Sequence, residues 1–144
     1  MFSPVILPAS LNIVAIMNNK KILVIVDAGH GAETQGKRSP DGRHREYSWC
    51  RRVARLIAVG LSAYGIDAAL AVPEETDVPL RERCRRVARL AGGCNAVLLS
   101  VHNNASDDGT SWRDACGWSV FVAPNASAGS KRLAACLFEE ARKA

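Results

Sequence analysis

The chain has 144 residues, 48% of them hydrophobic and 23% charged. That suits one domain rather than two, and it excludes a disordered chain, a collagen-like repeat and a polytopic membrane protein. Lys and Arg outnumber Asp and Glu by 19 to 14, a net charge of +5; this favours anionic partners without choosing among nucleic acid, phosphate polymers and a carboxylate-rich cell wall.

Residues 1–17 (MFSPVILPASLNIVAIM) are apolar, lack the Lys or Arg of a signal-peptide n-region, and carry Pro4 and Pro8 where a helix would otherwise run. They are expected to be an extension outside the core, with folding starting near Asn18. Ile22 to Val26 is a short apolar run ending in Asp27-Ala28-Gly29-His30-Gly31, the pattern of a buried strand. Residues 32–45 are polar and rich in Gly, Pro and Arg, hence a loop. From Glu46 a helical period begins, with Val53, Leu56, Ile57, Gly60, Leu61 and Tyr64 on one face, and Gly65 stops it.

Ile66 to Val72 reads as a second strand. Pro79 opens a second helix, whose apolar stripe is Leu80, Cys84, Val87 and Ala91 and whose end is Gly92-Gly93. Ala96 to Val101 is a third strand running into His102-Asn103-Asn104, and Trp118 to Val122 reads as a fourth. A last helix carries Leu133, Ala134, Leu137 and Phe138, with Ser127 or Ser130 as its cap. The order β-α-β-α-β-β-α implies an α/β three-layer sandwich, a mostly parallel or mixed sheet flanked by helices. The arginines at 81, 83, 85, 86 and 89 are expected to form a solvated helix face. The five cysteines are odd in number and make no C-x-x-C pair, so they are expected to be buried or half-buried free thiols of a chain made in the reducing cytoplasm.

In open α/β sheets, ligands sit beyond the carboxyl ends of the strands. His30 follows the first strand there and His102 the third, while Glu46 opens the first helix. Two imidazoles and one carboxylate form a set suited to catalytic zinc with a fourth position for water. The same residues also suit two hydrogen-bonded histidines and a glutamate favouring a helix N-terminus. Asp27 either orients an imidazole or closes its turn. Asn103 and Asn104 either donate to a substrate carbonyl or shape the turn. His44, between Arg43 and Arg45, is expected to be exposed.

V-D-A-G-H-G at 26–31, G-K-R-S-P-D-G-R at 36–43 followed by Glu46, T-D-V-P-L-R-E-R-C at 76–84 and S-V-H-N-N-A at 100–105 together resemble the zinc-dependent N-acetylmuramoyl-L-alanine amidases of the type 3 family, cell-wall hydrolases of bacteria and their phages. The likeness runs over about residues 20–138. It implies one zinc ion held by His30, Glu46 and His102, and hydrolysis of the amide joining N-acetylmuramic acid to L-alanine in peptidoglycan. It also implies action at the cell wall, in the periplasm or outside the cell. The family's general-base glutamate lies on a later strand and would fall beyond Ala144, so residues 18–144 are expected to be an amidase-type domain incomplete at its C-terminal end. Glu139 and Glu140 share a helix with Arg142 and Lys143 and read as a solvated face. The catalytic acid or base is therefore unassigned, and turnover is expected to be low. A non-catalytic, zinc-containing wall-binding module is the alternative. A basic nucleic-acid binder has only its charge in favour. The expected partner is peptidoglycan, met by a monomer with no nucleic acid and no membrane span.

Overall fold

The computed structural model describes residues 21–105 and 108–143. The extension expected at 1–17 lies outside them. The chain divides into two compact units that meet at Asn103–Asn104.

The first unit is built on β1 (Leu23–Ala28), β2 (Asp67–Leu70) and β3 (Ala96–Val101), a parallel sheet in the order β2-β1-β3. β1 is central: Leu23 stands opposite Asp67 on one side and Ala96 on the other, and Ala28 opposite Val101. β1 begins one residue later than its apolar run and continues through Asp27, because that carboxylate is hydrogen-bonded by Arg83 (2.9 Å) and Ser100 (3.2 Å). Successive side chains of a strand point to opposite faces. Val26 and Ala28 pack on Cys50 and Ala54 of α1 (Glu46–Ala63). Ile25 packs with Ala71, Val72 and Val78 on the other face, against Val87 and Ala91 of α2 (Leu80–Ala91). A helix lies on each side of the sheet, which gives the three layers. Ile25 and Val26 are fully buried, each worth roughly 1.5–3 kcal/mol of burial.

Each helix buries part of the face its apolar residues suggest, Ile57 in α1 and Val87 and Ala91 in α2, and turns the rest outward. α1 buries Glu46, Cys50, Arg51 and Ala54, whereas Leu56 and Tyr64 are exposed. Small side chains at 50 and 54 let the helix approach the sheet closely. α2 buries Arg83, one turn ahead of Val87, while Leu80 and Cys84 are exposed. Of the five cysteines only Cys50 is buried; Cys84, Cys94, Cys116 and Cys136 are exposed.

In the second unit, α3 (Ala128–Lys143) is capped by Ser127, whose Oγ accepts the Ser130 N–H at 3.1 Å. The expected strand Trp118–Val122 does not form. A strand needs a ladder partner, and none pairs with this segment among the described residues. Trp118 instead packs beside Phe138, ring centroids 5.9 Å apart. No helix among the described residues is long and apolar enough to cross a membrane.

Candidate metal centre

α1 leaves β1 over one face of the sheet and α2 leaves β2 over the other, while β3 returns to the opposite side of β1. The chain therefore changes direction between β1 and β3, the point in an open α/β sheet where a ligand crevice lies beyond the strands' carboxyl ends. His30 and His102 leave those two ends.

The turn after β1 is unusual in its backbone. His30 is the one non-glycine residue among those described with positive φ, at 56°, a left-handed conformation that costs a residue with a Cβ about 1–2 kcal/mol. Two buried guanidiniums hold it. Arg51 donates to the carbonyls of Gly29 (3.1 Å) and His30 (2.8 Å), and also to the Glu74 carbonyl. Arg83 donates to the carbonyls of Ala28 (2.6 Å), His30 (3.0 Å) and Val78 (2.7 Å) and pairs with Asp27. Burial first, and then the charge of Arg83, lowers the pKa of Arg51. Gly29 is required by contact: a Cβ there would lie 2.6 Å from the His102 imidazole. At Gly31 a Cβ would lie 2.1 Å from the Asp77 nitrogen.

Glu46 enters from the loop. Its N–H donates to the Lys37 carbonyl at 3.0 Å, and its buried carboxylate reaches the crevice. Oε1 lies 3.4 Å from His30 Nε2 and 3.1 Å from His102 Nδ1, and it accepts the Asn103 N–H at 2.8 Å. The imidazoles stand edge to face, centroids 4.9 Å apart. One donor atom from each of the three residues falls within 4.8 Å of the others. Burial lowers the His30 pKa below its ordinary value; Glu46 opposes this, and the charges of His102 and Lys37 reinforce it. A neutral imidazole is the form that binds metal. Zinc bonds of about 2.0–2.1 Å in a tetrahedron put ligand atoms about 3.3 Å apart, close to the carboxylate–imidazole separations here. Half-exposed His102 opens the cluster to solvent. Donor type, the two carboxylate–imidazole separations and access suit a zinc ion.

The family N-acetylmuramoyl-L-alanine amidase (Amidase_3) matches residues 24–144. The chain belongs to this amidase family. Among solved structures it is similar to the catalytic domain of CwlV, an N-acetylmuramoyl-L-alanine amidase from Bacillus (Paenibacillus) polymyxa var. colistinus. The identity is 25% and the TM-score 0.51, over 58% of this chain and 46% of that one, so the chain spans less than half of the solved domain. A comparison with curated proteins finds no match.

The other candidate residues have different surroundings. Asp27 faces the α2 side of the sheet, where its carboxylate bonds Arg83 and Ser100 rather than an imidazole; it acts on the turn through Arg83. Asn103 ties Glu46 by its N–H, and its Oδ1 meets exposed His44 Nε2 at 2.8 Å. Asn104 begins the second unit and donates to Ser119 Oγ at 2.7 Å. The arginine cluster is not one solvated face. Arg83 is buried, Arg86 is half-buried on Glu74 at 2.6 Å, and 81, 85 and 89 are exposed. Sequence reading missed Arg51 and buried Arg83. The available signal was position 83 itself, four residues before Val87 and eight before Ala91, in register with the packed stripe.

Proposed function

We propose that this chain is a zinc-dependent hydrolase of the amide between N-acetylmuramic acid and L-alanine in peptidoglycan, acting at the cell wall as a monomer with one zinc ion on His30, Glu46 and His102. The observation that carries the reading is the convergence of those three donors at the β1–β3 crevice, in a chain of the amidase family. Zinc supplies Lewis acidity toward the scissile carbonyl and toward water. The chain's own groups set its position. His30 is offered by a turn that two arginines hold, and His102 continues the edge strand β3. The Asn103 N–H fixes the Glu46 carboxylate between the imidazoles. The half-exposed His102 side chain leaves the cluster open to a polymeric substrate.

Glu139 and Glu140 are engaged with Arg142 (3.1 Å) and Lys143 (2.7 Å) in α3, which favours a second reading, a zinc-containing module that binds wall without cleaving it. Incubating the zinc-loaded chain with purified peptidoglycan and measuring new N-terminal L-alanine separates the two. Release that is lost in Glu46→Gln is the expected result. Wall binding with zinc bound and no release would replace the hydrolase by the binding module.

A further inference from the structure

We infer that the cleft between residues 33–38 and Arg45 is a carboxylate-binding subsite, which reads an acidic residue of the peptide attached to the scissile amide. This rests on the peptidoglycan reading above. The cleft holds about 350 Å³ and is lined by Glu33, Thr34, Gln35, Gly36, Arg38 and Arg45. Its walls are the segment that leaves His30 and the segment that delivers Glu46, and they are tied to both by the Gly31 N–H on the Thr34 hydroxyl and the Glu46 N–H on the Lys37 carbonyl.

The walls are braced. Arg38 and Arg45 face each other across an antiparallel bridge. The Ser39 N–H donates to the His44 carbonyl at 2.9 Å, and the Ser39 hydroxyl accepts the His44 N–H at 3.0 Å. Thr34 is fixed by its hydroxyl, which accepts the Gly31 N–H and donates to Asp77. Such bracing presets the loop that carries the two guanidiniums.

Charge and valence select the ligand. Arg45 places one N–H on the Ala32 carbonyl at 2.7 Å and lies over the Tyr47 ring at 5.4 Å; a guanidinium has five N–H donors, so several remain. The Arg38 guanidinium makes no hydrogen bond or ion pair among the described residues. The one carboxylate in the lining, Glu33, already accepts the Asp77 N–H at 2.8 Å. Two arginines against one acid leave the lining positive, which suits a carboxylate, and a guanidinium fork can take it through two parallel bonds. Arg45 is the chain neighbour of Glu46 and an extended peptide advances roughly 3.3–3.6 Å per residue, so the subsite is assigned to a residue close to the scissile amide.

The test titrates L-alanyl-D-glutamate and its diamide, neither of which carries the scissile amide, separately into the zinc-loaded full chain, following affinity by NMR with the arginine Nε–H resonances as reporters. The acid is expected to bind about tenfold more tightly than the diamide. That preference should fall toward one in Arg38→Gln or Arg45→Gln, with diamide affinity unchanged, and partly return in Arg38→Lys. Equal binding of acid and diamide by the unaltered chain, or a preference that survives both Gln variants, overturns the subsite and leaves the peptidoglycan reading standing. Failure of both probes to bind also overturns the subsite, while release of N-terminal L-alanine from peptidoglycan decides the function separately.

Discussion

His30 shows how much of this site is backbone. Its left-handed conformation is held by two buried arginines acting on one carbonyl oxygen, and the glycine before it exists to admit the second imidazole. Gly29→Ala is therefore expected to displace His102 and weaken zinc binding at least tenfold while the fold persists; competition with a chelator, beside circular dichroism, checks this. Arg83→Met leaves Asp27 buried without its partner and is expected to cost roughly 3–5 kcal/mol in urea unfolding. Adding Asp27→Asn should recover part of that loss. Burial pushes the Cys50 thiol up to about 11, with Glu46 adding to the effect. A raised folded pKa contributes stability that is complete below about pH 8.5, the value of a free thiol, and is lost as pH rises toward the folded value. Cys50→Ala is expected to flatten the alkaline decline in the unfolding midpoint; an unchanged slope would place that decline elsewhere. At this scale His30, Glu46 and His102 were legible because each stands where an element begins or ends. Arg51 and Arg83 were not, because arginine is usually exposed and its burial depends on carbonyls contributed by distant segments.

The elements were legible where the pattern is local. β1 and β3 are found within two residues of their apolar runs, and α1 begins at Glu46 as read from the sequence. The inward faces of the helices were less so. Hydrophobic period counts large side chains, whereas α1 packs through Cys50 and Ala54, and α2 through Arg83, Val87 and Ala91. Trp118 to Val122 has the composition of a strand without a ladder. Hydrogen exchange should therefore find the amides of 118–122 close to unprotected and those of β1, paired on both sides, the slowest. Strong protection at 118–122 would show that a partner strand forms there in solution.

For the whole molecule, the order β2-β1-β3 turns three separated sequence motifs into one place. Sequence alone could set His30 and His102 at strand ends, but only the pairing of β1 with β3 makes them neighbours. Membership in the amidase family extends over residues 24–144, and the net charge of +5 suits an anionic wall. The metal centre is decided by zinc stoichiometry measured on the purified chain beside His102→Ala. One zinc per chain is expected, lost in the variant while its circular dichroism is unchanged. A folded chain without zinc, or full zinc retention in His102→Ala, would contradict it.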